Sequence, residues 1–449
     1  MPHLFLLSCR SMLPAAVFIL FIAGSANPGA AADSIWAPPQ LEKLIEEALA
    51  NNQSLRSRVA QVEGLEYRIP AAGALPDPKV GLAVQNLPTD NFVFDQEPMT
   101  QKQIFLEQTV PWLSKLDLRS EAAAGNAGEK KAELEAARLE LAREVANLWY
   151  ELGYVAESQQ INDELIKLVQ RIRRDAESDY AVGDGLQQDI FQAQVELSRL
   201  EEESVRLENR RSTIENRLHE LTNRKSYQAI DPPFDLPEPD FSFTADALAE
   251  NALAENPDLK GMQASINTAK AEKRLAEKDY RPDFNIRLTY GQRDEDRTGR
   301  DLPDFFSAAV AVDIPLWHKD KQAKELAAAS EFQHSAENRY RNLKSRLPYQ
   351  IKTLVSEIRD LRRRYNLYTE ELIPGASQWA RSALEAYEVG KAEFDNMIDA
   401  RIRVLKYRQQ ASRLFFTIYQ QRAELEAWIG GAAETEPEKP LHEFKGQSQ

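Results

Sequence analysis

ALANNQSL at Ala48–Leu55 returns as ALAENPDL at Ala252–Leu259. The shared pattern, Ala-Leu-Ala-x-Asn-x-x-Leu, lies 204 positions apart, and the same offset matches Pro78 with Pro282, Leu106 with Val310, Val110 with Ile314 and Pro111 with Pro315. An offset held over more than 60 residues marks a duplicated structural unit. A second pair, YAVGDG (Tyr180–Gly185) and YEVGKA (Tyr387–Ala392), lies 207 apart, so about three residues are gained along the way.

Working outward, each unit holds two short stretches of period two, the signature of strands with one apolar and one polar face. In the first unit Val80, Leu82 and Val84 interleave with Lys79, Gly81, Ala83 and Gln85. In the second, Phe284, Ile286, Leu288 and Tyr290 interleave with Asp283, Asn285, Arg287 and Thr289. Returning strands follow at Ile104–Val110 and Phe306–Ile314, which places strands at about 78–87, 103–111, 282–291 and 304–315. Alternation alone is equally compatible with a small soluble sheet packed on helices. The sequence beyond Pro111 and Pro315 disfavours that reading. Leu141, Val145, Leu148, Leu152 and Val155, then Ile161, Leu165, Leu168 and Ile172, step by threes and fours as a coiled-coil seam does. Ile351, Leu354, Ile358, Leu361, Tyr365, Tyr368 and Leu372 repeat the step in the second unit. About 66 residues at 1.5 Å each make a rod of roughly 100 Å. Pro348 and Pro374 are expected to kink the second rod. Gly183 and Gly390 stop the rods in the left-handed conformation, and helices over 186–222 and 393–429 run back.

The expected organisation is an export leader at 1–32, a first repeat at 33–222 with its tip at 180–185, a Pro-rich linker at 223–241, a second repeat at 242–430 with its tip at 387–392, and a disordered tail at 431–449. The leader reading rests on Arg10, the apolar run Leu13–Ala23 and the small residues Ala30–Ala32. The chain's one cysteine, Cys9, falls inside it and precedes the apolar run, an order unlike a lipoprotein box. Removal of the leader leaves 71 acids against 55 Lys plus Arg, a balance of −16 that disfavours nucleic acid as a partner. No cofactor and no catalysis are expected: His219, His318, His334 and His442 lack the spacing of a helical metal site, and neither a nucleophile elbow nor a phosphate loop is present. Trp112, Trp317 and His318, just past the strands, suit a membrane interface.

Four strands leave two open edges and an exposed apolar face, which closure of several copies into a membrane barrel resolves. A porin carries many more strands per chain, and a coiled-coil scaffold has no use for two-faced strands. From about Leu41 to Gly430 the duplication, the Pro-terminated strands and the Tyr-x-Val-Gly tips resemble the TolC-like outer-membrane efflux proteins. The resemblance implies a mainly α chain with a small β part, assembled as a homotrimer whose twelve strands form one β-barrel continuous with a periplasmic α-helical tunnel. It implies an outer-membrane location in a Gram-negative bacterium, a periplasmic adaptor and an inner-membrane pump as partners, and lipid around the barrel. Asp77–Leu82, Asn86–Pro88 and Glu97–Gln101 resemble the branch serving heavy-metal pumps of the resistance-nodulation-division type; ducts for drug efflux or type I protein secretion are the alternative within the family.

The same resemblance places a gate at the tips. Tyr387 matches the gating tyrosine and Asp189 an acid that holds the closed state, with Tyr180, Gly183, Gly390, Lys391, Asp395 and Asp399 around them. The pattern departs where a basic residue is expected, at Ala392, and where the first of two constriction acids is expected, at Asn396. A tyrosine packed under a helix end and acids on a solvated face are the plainer readings. On the strands, Val80, Leu82, Val84, Phe284, Ile286, Leu288 and Val310 are expected toward lipid, and Lys79, Glu107, Arg287 and Asp313 toward the lumen.

Overall fold

The computed structural model describes residues 38–183, 185–225, 228–233, 236–237 and 244–431. The expected leader, most of the expected tail and part of the linker lie outside the described residues.

The duplication is visible element by element. The first unit runs α1 (Pro39–Asn51), α2 (Gln53–Gly73), β1 (Lys79–Gln85), β2 (Gln101–Val110), α3 (Lys115–Val182) and α4 (Gln187–Thr222). The second runs α5 (Ala245–Glu255), α6 (Pro257–Lys278), β3 (Phe284–Gln292), β4 (Phe305–Val312), α7 (Gln322–Asn366), a π-helical turn (Leu367–Leu372), α8 (Ile373–Glu388) and α9 (Phe394–Ile429). The fold is mainly helical with one small antiparallel sheet, as the pattern of periods predicts.

The repeated asparagine has a physical role that explains its motif. Asn52 and Asn256 each sit at the junction of two helices, and each side chain accepts the backbone N–H three residues on, Leu55 and Leu259, at 3.1 Å. This satisfies a donor that the start of a helix otherwise leaves unpaired. Each amide also donates to the last turn of the helix returning from the tip: Asn52 to the Leu221 carbonyl at 3.2 Å and Asn256 to the Trp428 carbonyl at 2.9 Å. One residue therefore starts a helix and fastens the end of another. Ala48 and Ala252, fully buried, and Leu55 and Leu259, nearly so, pack beneath it.

α3, 68 residues long, spans about 100 Å at 1.5 Å per residue. Its seam residues Leu141, Val145, Leu152 and Val155 are buried around Trp149, and Ile161, Leu165, Leu168 and Ile172 form a second cluster with Phe394, Met397, Ile398 and Ile402 of α9. In the second unit Ile351, Val355 and Ile358 of α7 pack with Ile418, Leu425 and Ile429 of α9. The two prolines in this rod behave differently. α7 continues through Pro348, whereas the π-turn ends just before Pro374, whose missing N–H removes one α-type bond from the ladder. The linker binds across the helices at mid-length. The Trp149 indole N–H donates to the Asp231 carbonyl at 3.2 Å, Ile230 is buried, and a Cβ on Gly153 would lie 2.6 Å from Pro233, so the crossing requires glycine.

The sheet is antiparallel in the order β1-β2-β3-β4. β1 and β4 are its two edges, and the central β2–β3 pairing joins the two repeats, with Leu106 opposite Leu288 and Glu107 opposite Arg287.

Candidate gate and membrane sheet

Register decides which side chains share a face, because opposite residues in an antiparallel pair point the same way. Val80 lies opposite Leu106, Leu106 opposite Leu288, and Leu288 opposite Ala308. One face therefore carries Val80, Leu82, Val84, Ile104, Leu106, Val110, Phe284, Ile286, Leu288, Tyr290, Phe306, Val310 and Val312. Leu82 is 83% exposed and Val310 65%. An apolar face this open has no stabilising surroundings in water.

The opposite face carries Lys79, Glu107, Thr109, Asn285, Arg287 and, by parity, Asp313. Arg287 Nε donates to Glu107 Oε2 at 2.8 Å, and the Thr109 hydroxyl donates to Asn285 Oδ1 at 2.6 Å across the β2–β3 junction. Two aromatics break the alternation, Phe105 and Phe305, the latter opposite Gly291 with the Arg293 guanidinium 4.1 Å from its ring centroid. Phe105 lies on the polar face, its ring over Gly81, where an added Cβ would come within 2.3 Å of Cζ. The Arg287 guanidinium sits 4.5 Å from the Phe105 ring centroid, which compensates the ring's exposure among polar groups. At the helix-proximal rim Trp112 stacks on Phe284 at 6.0 Å between centroids. Lys115, nearly buried, pairs with Asp283 at 2.9 Å and Asp279 at 3.2 Å, joining the start of α3 to the start of β3. Trp317 is 75% exposed.

At the opposite end of the rods the chain turns twice. Gly183 takes a left-handed conformation (φ 89°) and its N–H reaches the Tyr180 carbonyl at 3.2 Å. Gly390 (φ 69°) does the same beside Tyr387, its N–H on the Tyr387 carbonyl at 2.9 Å, and Lys391 N–H closes the turn on Ala386 O at 2.8 Å. Both glycines stand where a side chain would strain the backbone.

Tyr387 joins the two tips. Its hydroxyl donates to Asp179 Oδ2 at 3.4 Å, and its ring meets Phe394 edge-on at 5.9 Å. Burial, then the charges of Asp179, Asp189 and Asp175, push the tyrosine hydroxyl above its usual pKa, so it stays a donor. The hydrogen-bond partner is thus Asp179, with Asp189 acting on the tyrosine through its charge. Asp179 was missed by motif matching. The available signal was its place, four residues before Gly183 and four after Asp175, on the helix face that reaches the second hairpin. Burial raises the Asp189 carboxyl, the Leu186 backbone opposes it, and the charge of Asp395 adds a smaller upward push. Asp395, Asp399 and Lys391 are exposed, and Tyr180 is half exposed. At the tip Asp179 therefore accepts from Tyr387, Asp175 and Asp189 act on the tyrosine through their charges, and Asp395 acts on Asp189.

Among the described residues no helix is long and apolar enough to cross a membrane, and no group of three or more His, Cys, Asp or Glu side chains is placed to hold a metal ion.

A comparison with curated proteins returned no significant match. Solved structures of the same fold include CusC, at 15% identity over 91% of this chain and 96% of that one with a TM-score of 0.77. VceC from Vibrio cholerae is similar at 20% identity, covering 88% and 97%, with a TM-score of 0.74. The CmeC outer membrane channel of Campylobacter jejuni matches at 15% identity, covering 89% and 87%, with a TM-score of 0.72. The profile of the outer membrane efflux proteins matches residues 44–224 and 248–431, one span for each repeat, and the chain belongs to that family.

Proposed function

We propose that three copies of this outer-membrane efflux protein close one twelve-stranded barrel over a periplasmic helical tunnel, and that the tunnel is the exit duct of a tripartite pump. The sheet carries this reading. It has four strands, two unpaired edges and an exposed apolar face, set on rods of roughly 100 Å. Lipid covers such a face and closure removes such edges. The rods would carry the duct across the periplasm to an adaptor and an inner-membrane pump, and transport would need no chemistry from the chain.

Within this reading the pump is of the resistance-nodulation-division type and the cargo is a heavy-metal cation. The support is the Asp77–Leu82 and Glu97–Gln101 resemblance, together with a tip lined by acids. Tyr387, Asp179 and Asp189 hold the mouth closed, and Asp395, Asp399 and Lys391 set its field.

The experiment is purification from detergent-extracted outer membranes, with mass measured by light scattering, followed by conductance in planar bilayers. A trimer with small, cation-selective conductance is expected; a water-soluble monomer overturns the barrel. Deletion of the gene should sensitise cells to metal salts, and sensitisation to drugs alone would move the cargo to the other branch.

A further inference from the structure

The apolar face of the sheet continues past the end of β4. Val310 and Val312 are followed on the same parity by Ile314, and beyond Pro315 come Leu316 and Trp317, all three of them exposed. Directly after them stand Lys319, Lys321 and Lys324, each exposed as well. Along the chain the order is apolar strand, aromatic ring, cation, which matches acyl chain, interface and headgroup in one leaflet of a bilayer. The turn is held by its own backbone. Leu316 N–H donates to the Ile314 carbonyl at 2.9 Å, Asp320 and Lys321 N–H both donate to the Trp317 carbonyl at 3.1 Å, and Ala323 N–H donates to the His318 carbonyl at 2.8 Å. None of these bonds uses a lysine side chain.

The duplication provides a comparison within the same molecule. Lys319 lies 204 residues after Lys115. Lys115 is buried and neutralised by two carboxylates, Asp283 at 2.9 Å and Asp279 at 3.2 Å. Among the described residues Lys319, Lys321 and Lys324 form no ion pair. At the same offset the first repeat has Asp117 and Ser120 where the second has Lys321 and Lys324. Both lysines stand at the start of α7, where a cation is unfavourable to the helix, so the helix does not account for them. The stretch Leu316–Lys324 thus carries three lysines against one carboxylate, Asp320, on a chain of net charge −15.

We propose, resting on the barrel reading, that this turn binds the headgroup of an anionic phospholipid in the leaflet facing the periplasm. Ile314, Leu316 and Trp317 lie against the upper acyl chain and glycerol, and the three lysines surround the phosphate. The occupant is a lipid because the cations extend an apolar face: an acidic soluble partner would meet the lysines and leave Trp317 in water. Three copies then gather anionic lipid into a collar at the base of the barrel and fix its depth in the membrane.

The test reconstitutes the full chain in phosphatidylcholine vesicles doped with phosphatidylglycerol, with bromine on the acyl chains of one lipid or the other, and follows quenching of tryptophan fluorescence. At about fivefold per lysine near an anionic surface, quenching should favour brominated phosphatidylglycerol at least tenfold, and the headgroup-dependent part should vanish in Trp317→Phe, which assigns it to this turn. Lys319→Gln with Lys321→Gln and Lys324→Gln should bring the preference to within twofold of parity with the trimer intact, whereas Asp320→Asn should raise it. Equal quenching by the two lipids, or a preference unchanged in the triple variant, overturns the proposal. Loss of the preference to inorganic phosphate at matched ionic strength would make the occupant a small anion, and a triple variant that falls to monomer would make the lysines a contact between copies; either result overturns the lipid. Absence of quenching by both lipids would instead remove the barrel reading beneath it.

Discussion

Replacing Asn256 by alanine removes two bonds of different kinds, and their sum can be worked out from its surroundings. The side chain is 2% exposed. Loss of the cap on Leu259 N–H costs about 1 kcal/mol. Loss of the donor to the Trp428 carbonyl leaves a terminal carbonyl of α9 without its partner, for about 1–3 kcal/mol. The total is about 3 kcal/mol, or about a hundredfold in an opening equilibrium at 1.4 kcal/mol per decade. Asn52→Ala removes the equivalent pair, but Asn52 is half-buried and water can reach the Leu221 carbonyl, so about 1–2 kcal/mol is expected. Asn256→Asp separates the two bonds: the carboxylate still caps α6 and is favoured by its dipole, yet cannot donate to Trp428. Amide hydrogen exchange of the detergent-solubilised protein reads each end. Asn256→Ala should expose both the start of α6 and the end of α9, and Asn256→Asp only the latter. Exchange within threefold of wild type at both ends in Asn256→Ala would refute the argument that this residue fastens the returning helix.

Ile286→Arg, on the apolar face, should cost about 2–4 kcal/mol near a bilayer midplane and abolish membrane assembly; normal assembly would show the face reversed. Tyr387→Phe combined with Asp189→Ala should raise single-channel conductance in planar bilayers, whereas Tyr387→Phe alone, removing one long hydrogen bond to Asp179 of about 0.5–1.5 kcal/mol, should raise it little. Asp399→Asn should weaken cation selectivity. pH should act with opposite signs at the two ends. Asp189 is raised above 3.8 by burial and by Asp395, so the tip contact is strongest below that value and weakens as pH rises through the higher folded-state pKa. Glu47 is held below 4.5 by its hydrogen bond to Arg224, so its contribution is present above 4.5 and is lost as pH falls through the lower folded-state pKa. Hydrogen exchange followed from pH 7 to below the folded-state pKa of Glu47 should therefore show the tip tightening, with the α1–α4 corner loosening only below about 4.5, and parallel changes at both ends would contradict these assignments.

The fold was readable where period and repetition reinforce each other. Leu141, Val145 and Leu152 announce a buried seam by spacing alone, and two prolines 204 apart date the ends of two strands. Less was readable where one residue serves two elements. The sequence marks Asn52 as repeated, but that its amide reaches 169 residues ahead to Leu221 depends on where α4 ends. Phe105 looks like an error in the alternation until Gly81 is found beneath it. At the tip, family motifs point to Asp189, while the hydroxyl of Tyr387 meets Asp179 because α3 continues to Val182 and turns that carboxylate toward α8. Pro348 and Pro374 carry the same local penalty, and local chemistry alone does not separate the one that α7 absorbs from the one that follows a π-turn.

That π-turn sets an azimuth. Buried seam positions of the two rods correspond at an offset of 206, Leu141 with Leu347, Val145 with Ile351 and Leu152 with Ile358, whereas the tip tyrosines correspond at 207. The one added residue is what a single π-turn inserts, and in an α-helix one residue amounts to about 100° of rotation. Everything beyond Leu372 is thereby rotated relative to a straight continuation of α7. The direction in which Tyr387 faces is fixed about fifteen residues upstream, in a segment that touches neither tip. Removing one residue between Leu367 and Leu372 should restore an unbroken α-helix and swing Tyr387 away from Asp179, with the turn at Gly390 left chemically intact.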